Sequence, residues 1–161
     1  MLFRSSALDI QEAARSMTRH MTGWLIAFVL AAGAVGVAQK VVSPEEFTRA
    51  MKTIGTAIDG VNKAIASKSY VDAKTPLALS RQILASTRPF WTTKQKPDAA
   101  KMTREAVARL DALDKVLSAS VVDAAAVAGA AQDLTRSCDA CHAAYREGDQ
   151  QTGYRIKAAS R

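Results

Sequence analysis

Residues 138 to 142 read Cys-Asp-Ala-Cys-His, and they hold both cysteines and one of the two histidines of a 161-residue chain. On a helix, positions i and i+3 share a face and i+4 lies beside them. Cys138 and Cys141 are then placed to form one thioether each with the two vinyl groups of a single porphyrin, while His142 presents its imidazole to the iron. The spacing is that of c-type haem attachment, and it predicts one covalently bound haem c.

Other chemistries of these residues fit less well. A structural zinc site asks for four Cys or His ligands, and the chain has only two cysteines. A redox-active dithiol belongs at a strand-to-helix turn, with its thiolate at a helix N-terminus; these cysteines fall late in a helical segment. A disulfide across i and i+3 of one helix is strained and adds little. No acid-base or nucleophile constellation and no phosphate-cradling glycine loop occurs elsewhere, so no enzymatic activity is expected.

The elements that must hold this motif are helical. Hydrophobic residues make up 48% of the chain and aromatics 6%. Alanine is abundant and β-branched runs are scarce, which favours an all-α fold in one domain. Ser43-Pro44-Glu45-Glu46 is a helix-start signal, and Phe47, Met51, Ile54, Ile58, Val61 and Ile65 follow on one stripe, giving a first helix that ends near Ser67. A second helix, from about Tyr70 to Thr87, carries Ala73, Leu77, Ile83 and Leu84; it begins after Pro76 or is kinked there, and stops before Pro89. Phe90-Trp91 and Thr92 to Lys96 read as a loop whose aromatics fold back over one end of the core. Pro97-Asp98 opens a third helix with Ala106, Leu110, Leu113 and Leu117 on its stripe. Ser120 to Asp123 can form a capping box, with Asp123 in the place of the usual glutamate, for a fourth helix. Its stripe is Val127, Ala131, Leu134, Cys138, Cys141 and Tyr145, so both cysteines lie on its inner face. The polar tail from Asp149 to Arg161 is expected to fray. Four amphipathic helices with short connections predict an antiparallel up-down-up-down four-helix bundle.

Ahead of this domain, Trp24 to Val37 is an almost unbroken apolar run preceded by Arg15, Arg19 and His20, and followed by small residues at Gly36-Val37-Ala38. The run is short for a membrane span and reads as a signal peptide cleaved after Ala38. The stretch from Met1 to Ser16, with Asp9 and Glu12, is an unusual lead-in, and translation from Met17 or Met21 would remove it. Residues 1–38 are thus assigned as presequence and 39–161 as the exported domain, on the periplasmic side of a bacterial membrane, where haem is attached to this motif. An uncleaved presequence would anchor the same domain to the inner membrane, its one contact with lipid. The net charge of +7 is spread among alternating acids and bases, which argues against a nucleic-acid partner and suits an acidic redox partner protein.

Loss of His20 with the presequence leaves His142 as the one histidine, so a second axial ligand would be methionine, and only Met51 and Met102 remain in 39–161. In an up-down-up-down bundle both lie in the layer of His142. An ordinary core role for both, over a five-coordinate iron, stays open at this level.

The chain resembles the class II c-type cytochromes, the cytochrome c prime family, and especially its low-spin, methionine-ligated relatives. The likeness runs from about Pro44 to Arg146. It rests on Cys138-Asp139-Ala140-Cys141-His142-Ala143-Ala144-Tyr145-Arg146 near the C-terminus and on Met51-Lys52-Thr53-Ile54-Gly55 in the first helix, which matches a segment facing the distal side of the haem in that family. The arginine often found four residues before that methionine is Phe47 here. The resemblance implies Met51 as distal iron ligand, electron transfer between redox partners, and a homodimer formed through the first two helices, as is frequent in the family. Its high-spin branch implies the alternative, a five-coordinate haem open to nitric oxide or carbon monoxide.

Overall fold

The structure, a computed structural model, describes residues 40–149 and 151–157. The chain divides into Met1–Val37 and Ala38–Arg161, and the described residues all belong to the second unit. The expected presequence, residues 1–38 with its alternative starts at Met17 and Met21, lies outside the described residues.

The described chain is predominantly α-helical. Ser43 caps α1 (Pro44–Ala66): its hydroxyl accepts from the Glu46 N–H at 3.2 Å, and the Glu46 carboxylate returns to the Ser43 and Val42 N–H groups, each at 3.0 Å. N–H groups at a helix start lack intrahelical partners, and this reciprocal pair satisfies two of them, with the Val42 N–H ahead of the cap as a third donor. The two backbone N–H groups, more than any other cause, hold the Glu46 carboxyl below its ordinary pKa. Ser43→Ala should lower the unfolding free energy by about 1 kcal/mol, read from urea denaturation followed by circular dichroism.

The α1 stripe is displaced slightly from its expected centre. Phe47, Ala50, Ala57, Val61 and Ala64 are buried, while Met51, Ile54, Ile58 and Ile65 are half-buried flanks. Small alanines let helix backbones come close, and the larger side chains spread to either side.

α2 (Tyr70–Ser86) runs through Pro76 without ending there. Pro76 brings no N–H to the ladder, but its carbonyl accepts a second hydrogen bond, from the buried Ser80 hydroxyl at 2.9 Å. The stretch expected to be a loop after it is a helix in part: α3 (Arg88–Thr93) has proline in its first turn. A proline that ends one helix is equally suited to begin the next. Thr92 and Thr93 donate back to the Arg88 and Pro89 carbonyls at 3.2 and 2.9 Å, and Gln95, at φ 54°, turns the chain into α4 (Pro97–Leu117).

The last long helix, α5 (Ala124–Tyr145), starts after Asp123, whose carboxylate accepts from the Ala125 N–H at 2.8 Å. The expected capping box beginning at Ser120 is thus replaced by a direct aspartate cap three residues later, the position aspartate itself prefers. The tail does not fray at Asp149 as expected. Arg146–Glu147 (β1) pairs antiparallel with Arg155–Ile156 (β2), across a turn in which Gly148 and Gly153 adopt φ of 87° and 78° and the Asp149 carboxylate accepts from the Gln151 and Thr152 N–H groups. Glycine takes such left-handed backbone without a Cβ penalty.

Two apolar clusters divide the core. One gathers Val61 and Ala64 of α1, Ala73 and Leu77 of α2, Leu110, Leu113 and Leu117 of α4, and Val127 and Leu134 of α5. The other gathers Val41, Phe47 and Ala50, Phe90 and Trp91 of α3, Ala99 and Ala100 of α4, and Tyr145 of α5. Helix α1 packs on α2, α2 on α4, and α4 on both α3 and α5. No helix among the described residues is long and apolar enough to cross a membrane.

Candidate cofactor site

Cys138 and Cys141 lie one turn apart on α5, both half-buried and both free thiols. Cys138 packs against the first core cluster and Cys141 against the second. The pair therefore straddles the boundary between the two halves of the core. His142 follows, also half-buried, with its carbonyl accepting from the Arg146 N–H at the helix end.

Burial governs the electrostatics. It pushes the Cys141 thiol up to about 11, with Cys138 and Asp98 adding to the shift, and raises Cys138 with help from Asp139. Both sulfurs are neutral thiols at neutral pH, unlike the thiolate of a redox-active dithiol. Burial, and then the Arg146 charge, lowers the His142 pKa. A neutral imidazole is the form that ligates a metal.

Met51 and Met102 are both half-buried and both pack against the cluster that receives Cys141. The structure brings the two candidates to the same apolar patch and does not separate them. Among the described residues, no three His, Cys, Asp or Glu side chains converge in one group. Two thiols on one helix face, a neutral imidazole beside them and two thioethers at the adjoining patch fit a covalently held haem. A hollow of about 560 Å³, lined by Lys40, Arg81, Arg88 and neighbouring residues of α2 and α3, includes none of these groups.

Tyr145 supports the end of α5 in a way the sequence did not announce. Its ring packs against Trp91 with centroids 5.0 Å apart, and its hydroxyl donates to the Asp98 carboxylate in the first turn of α4. Trp91 in turn meets Phe47 and Phe90 edge-on, each at 5.0 Å. From the tail, the Lys157 N–H donates to the Tyr145 carbonyl at 2.9 Å and its ammonium to the Ala143 carbonyl at 2.6 Å. These last carbonyls of α5 have no helical partner of their own. Asp98 read only as a first-turn acid, and nothing local to Lys157 pointed to α5; both contacts depend on which elements meet in space.

The Tyr145–Asp98 bond gives a pH signature. Burial, and then the Asp98 bond and charge, raise Tyr145 to about 12 from 10.0, and the same bond lowers Asp98 below 3.8. A raised phenol contributes stability that is complete below pH 10 and lost as pH climbs through 12. A lowered carboxyl contributes stability that is complete above its unfolded value and lost as pH falls through its folded one. The difference in urea midpoint between the native chain and Tyr145→Phe should be flat from pH 5 to 9 and shrink on both sides; a difference that grew towards acid would contradict the pairing.

Comparison of the chain with protein-family models, with curated proteins and with solved structures finds no match.

Proposed function

We propose that the protein is an exported c-type cytochrome that carries electrons on one covalent haem c, held by thioethers from Cys138 and Cys141 with His142 and Met51 as axial ligands. The observation that carries this reading is the placing of both cysteines, one turn apart and half-buried, where the two core clusters meet, with His142 beside them and Met51 at the cluster that Cys141 joins. When bound, the haem supplies a reversible one-electron couple, and methionine ligation raises its potential.

The protein's own part is positional. α5 sets the two sulfurs at one helical turn, the buried aromatics exclude water, and Asp98 and Lys157 fix the end of the helix that bears His142. The proposed architecture is the up-down-up-down antiparallel bundle. In its support, the first core cluster draws on the C-terminal halves of α1 and α4 but the N-terminal halves of α2 and α5, an alternation expected of that topology. The proposed setting is periplasmic, after removal of residues 1–38, with redox proteins as partners and with self-association through α1 and α2.

The test is a denaturing gel stained for haem peroxidase activity, with visible spectra of the protein expressed with export and haem attachment. The native chain should stain, Cys138→Ala/Cys141→Ala should not, and the reduced native protein should resist carbon monoxide. An unstained native band would overturn the proposal. Ready carbon monoxide binding would instead assign the open, five-coordinate haem that takes nitric oxide or carbon monoxide.

A further inference from the structure

The expected alternation of acids and bases does not hold throughout: summed over the segments that meet at each end, the net charge is unevenly divided along the domain. The end around the second cluster, residues 40–54, 80–104 and 138–157, carries twelve Lys and Arg against six Asp and Glu. The opposite end, residues 55–79 and 105–137, carries six against seven. The net charges are +6 and −1, so the positive pole coincides with the end where Cys141, Tyr145 and both methionines lie.

The excess is densest where α3 turns into α4. Arg88, Lys94, Lys96, Lys101 and Arg104 fall within seventeen residues that include a single acid, Asp98, whose carboxylate is engaged by Tyr145; the next residue, Glu105, pairs with Lys101 at 3.8 Å, and the excess of bases over these eighteen residues is five to two. Arg88, Lys101 and Arg104 are exposed. Lys94 sits over the Phe90 ring at 5.9 Å, and Lys96 and Arg104 flank a hollow of about 280 Å³. Between Arg88 and Lys94 in sequence, Trp91 is buried and touches Tyr145, one turn beyond Cys141.

We infer that the α3–α4 corner is the docking face for an acidic patch on an electron-transfer partner protein, orienting the domain so that its cofactor-bearing end meets that partner. This rests on the cytochrome reading. A field of one sign concentrated at one end both attracts and aligns an oppositely charged partner, raising encounter rates by about 10 to 10³ at low salt. An anionic membrane would answer to the same sign of charge. The corner is small and bears an indentation instead of an exposed apolar rim, whereas interfacial binding to lipid draws on buried apolar area as well as charge; a protein surface is the better match.

The test uses the haem-loaded full domain, its loading confirmed by gel stain and spectrum. One variant reverses the corner (Arg88→Glu, Lys101→Glu, Arg104→Glu). A control makes the same total charge change at the opposite end (Lys63→Glu, Lys74→Glu, Lys115→Glu). Oxidation of the reduced protein is followed by stopped flow with anionic ferricyanide and with cationic tris(phenanthroline)cobalt(III), and affinity for poly-L-glutamate is measured by titration calorimetry.

The corner variant should react at least tenfold more slowly with ferricyanide at 10 mM ionic strength and faster with the cobalt complex, and should lose at least tenfold in poly-L-glutamate affinity; these differences should shrink at 200 mM. The control should change each far less. Equal responses of the two variants, in loaded protein, would overturn the docking face and leave the cytochrome reading standing. Failure to load haem would overturn that reading itself. Co-sedimentation of the native domain with phosphatidylglycerol vesicles at 150 mM salt, abolished by the corner variant, would assign the face to lipid and overturn the protein partner.

Discussion

On the proposed His142–Met51 ligation, Met51→Leu should convert the oxidised protein from a low-spin to a high-spin visible spectrum, lower its reduction potential and change carbon monoxide binding from undetectable to stoichiometric, whereas Met102→Leu should leave all three unchanged. Leucine keeps most of methionine's volume and removes the sulfur, so packing costs stay below about 1.5 kcal/mol in either variant. Both methionines are half-buried against one cluster, which makes them matched controls: a cavity effect would appear in both. Only loss of a coordinating thioether separates them, because an iron that gives up its sixth ligand opens a position for small gases and loses the potential that methionine confers. Only the resemblance of the segment Met51-Lys52-Thr53-Ile54-Gly55 to the class II cytochromes favours Met51 over Met102. If Met102→Leu alone changed the spectrum, the ligand would be reassigned to α4; if neither did, the distal face would be without a methionine.

The parts of this protein legible in its sequence are those with local causes. Ser43, Pro44 and Glu46 specify the start of α1 within four residues, and the box forms as their types require. The α4 stripe of Ala106, Leu110, Leu113 and Leu117 is buried throughout, since each position follows from the helical period alone. Cys138, Cys141 and His142 stand together because i, i+3 and i+4 cannot do otherwise on a helix. What escaped the sequence depends on competition or on distance. Pro89 reads as a stop, yet its pyrrolidine is equally compatible with a start, and the burial of Phe90 and Trp91 decides between them. Asp123 reads as the closing acid of a box, and it caps α5 directly instead. The tail carries glycines at 148 and 153 and an Asp149 able to close a turn, a hairpin signal masked by the polarity around it. The hydrogen bond from Tyr145 to Asp98 joins residues 47 positions apart, and no periodicity encodes it.

The other large effect is expected in the aromatic cluster under the end of α5. Trp91→Ala should cost about 3–5 kcal/mol of unfolding free energy, a large fraction of the roughly 5–15 kcal/mol that holds a typical domain folded. Trp91 is 2% exposed and belongs to a six-residue helix that holds few hydrogen bonds of its own, so α3 stays in place chiefly through what it buries. The indole ring lies against Phe47 of α1, Phe90 of its own helix and Tyr145 of α5, and its carbonyl accepts from the Lys96 N–H at 2.9 Å, where the chain turns into α4. Truncation removes ring contacts to three helices at once and leaves a void beneath the last turn of α5. Trp91→Phe keeps part of the ring packing and should cost less than half as much, which distinguishes lost volume from a general intolerance of substitution. The local consequence separates this account from uniform destabilisation: amide hydrogen exchange should accelerate in the last turn of α5 and in α3 well before it does around Leu110, Leu113 and Val127, whose cluster contains none of the atoms removed. A urea midpoint for Trp91→Ala within about 1 kcal/mol of the native value would mean that the aromatic cluster rearranges to fill the space, and that the end of α5 is held instead by Asp98 and Lys157.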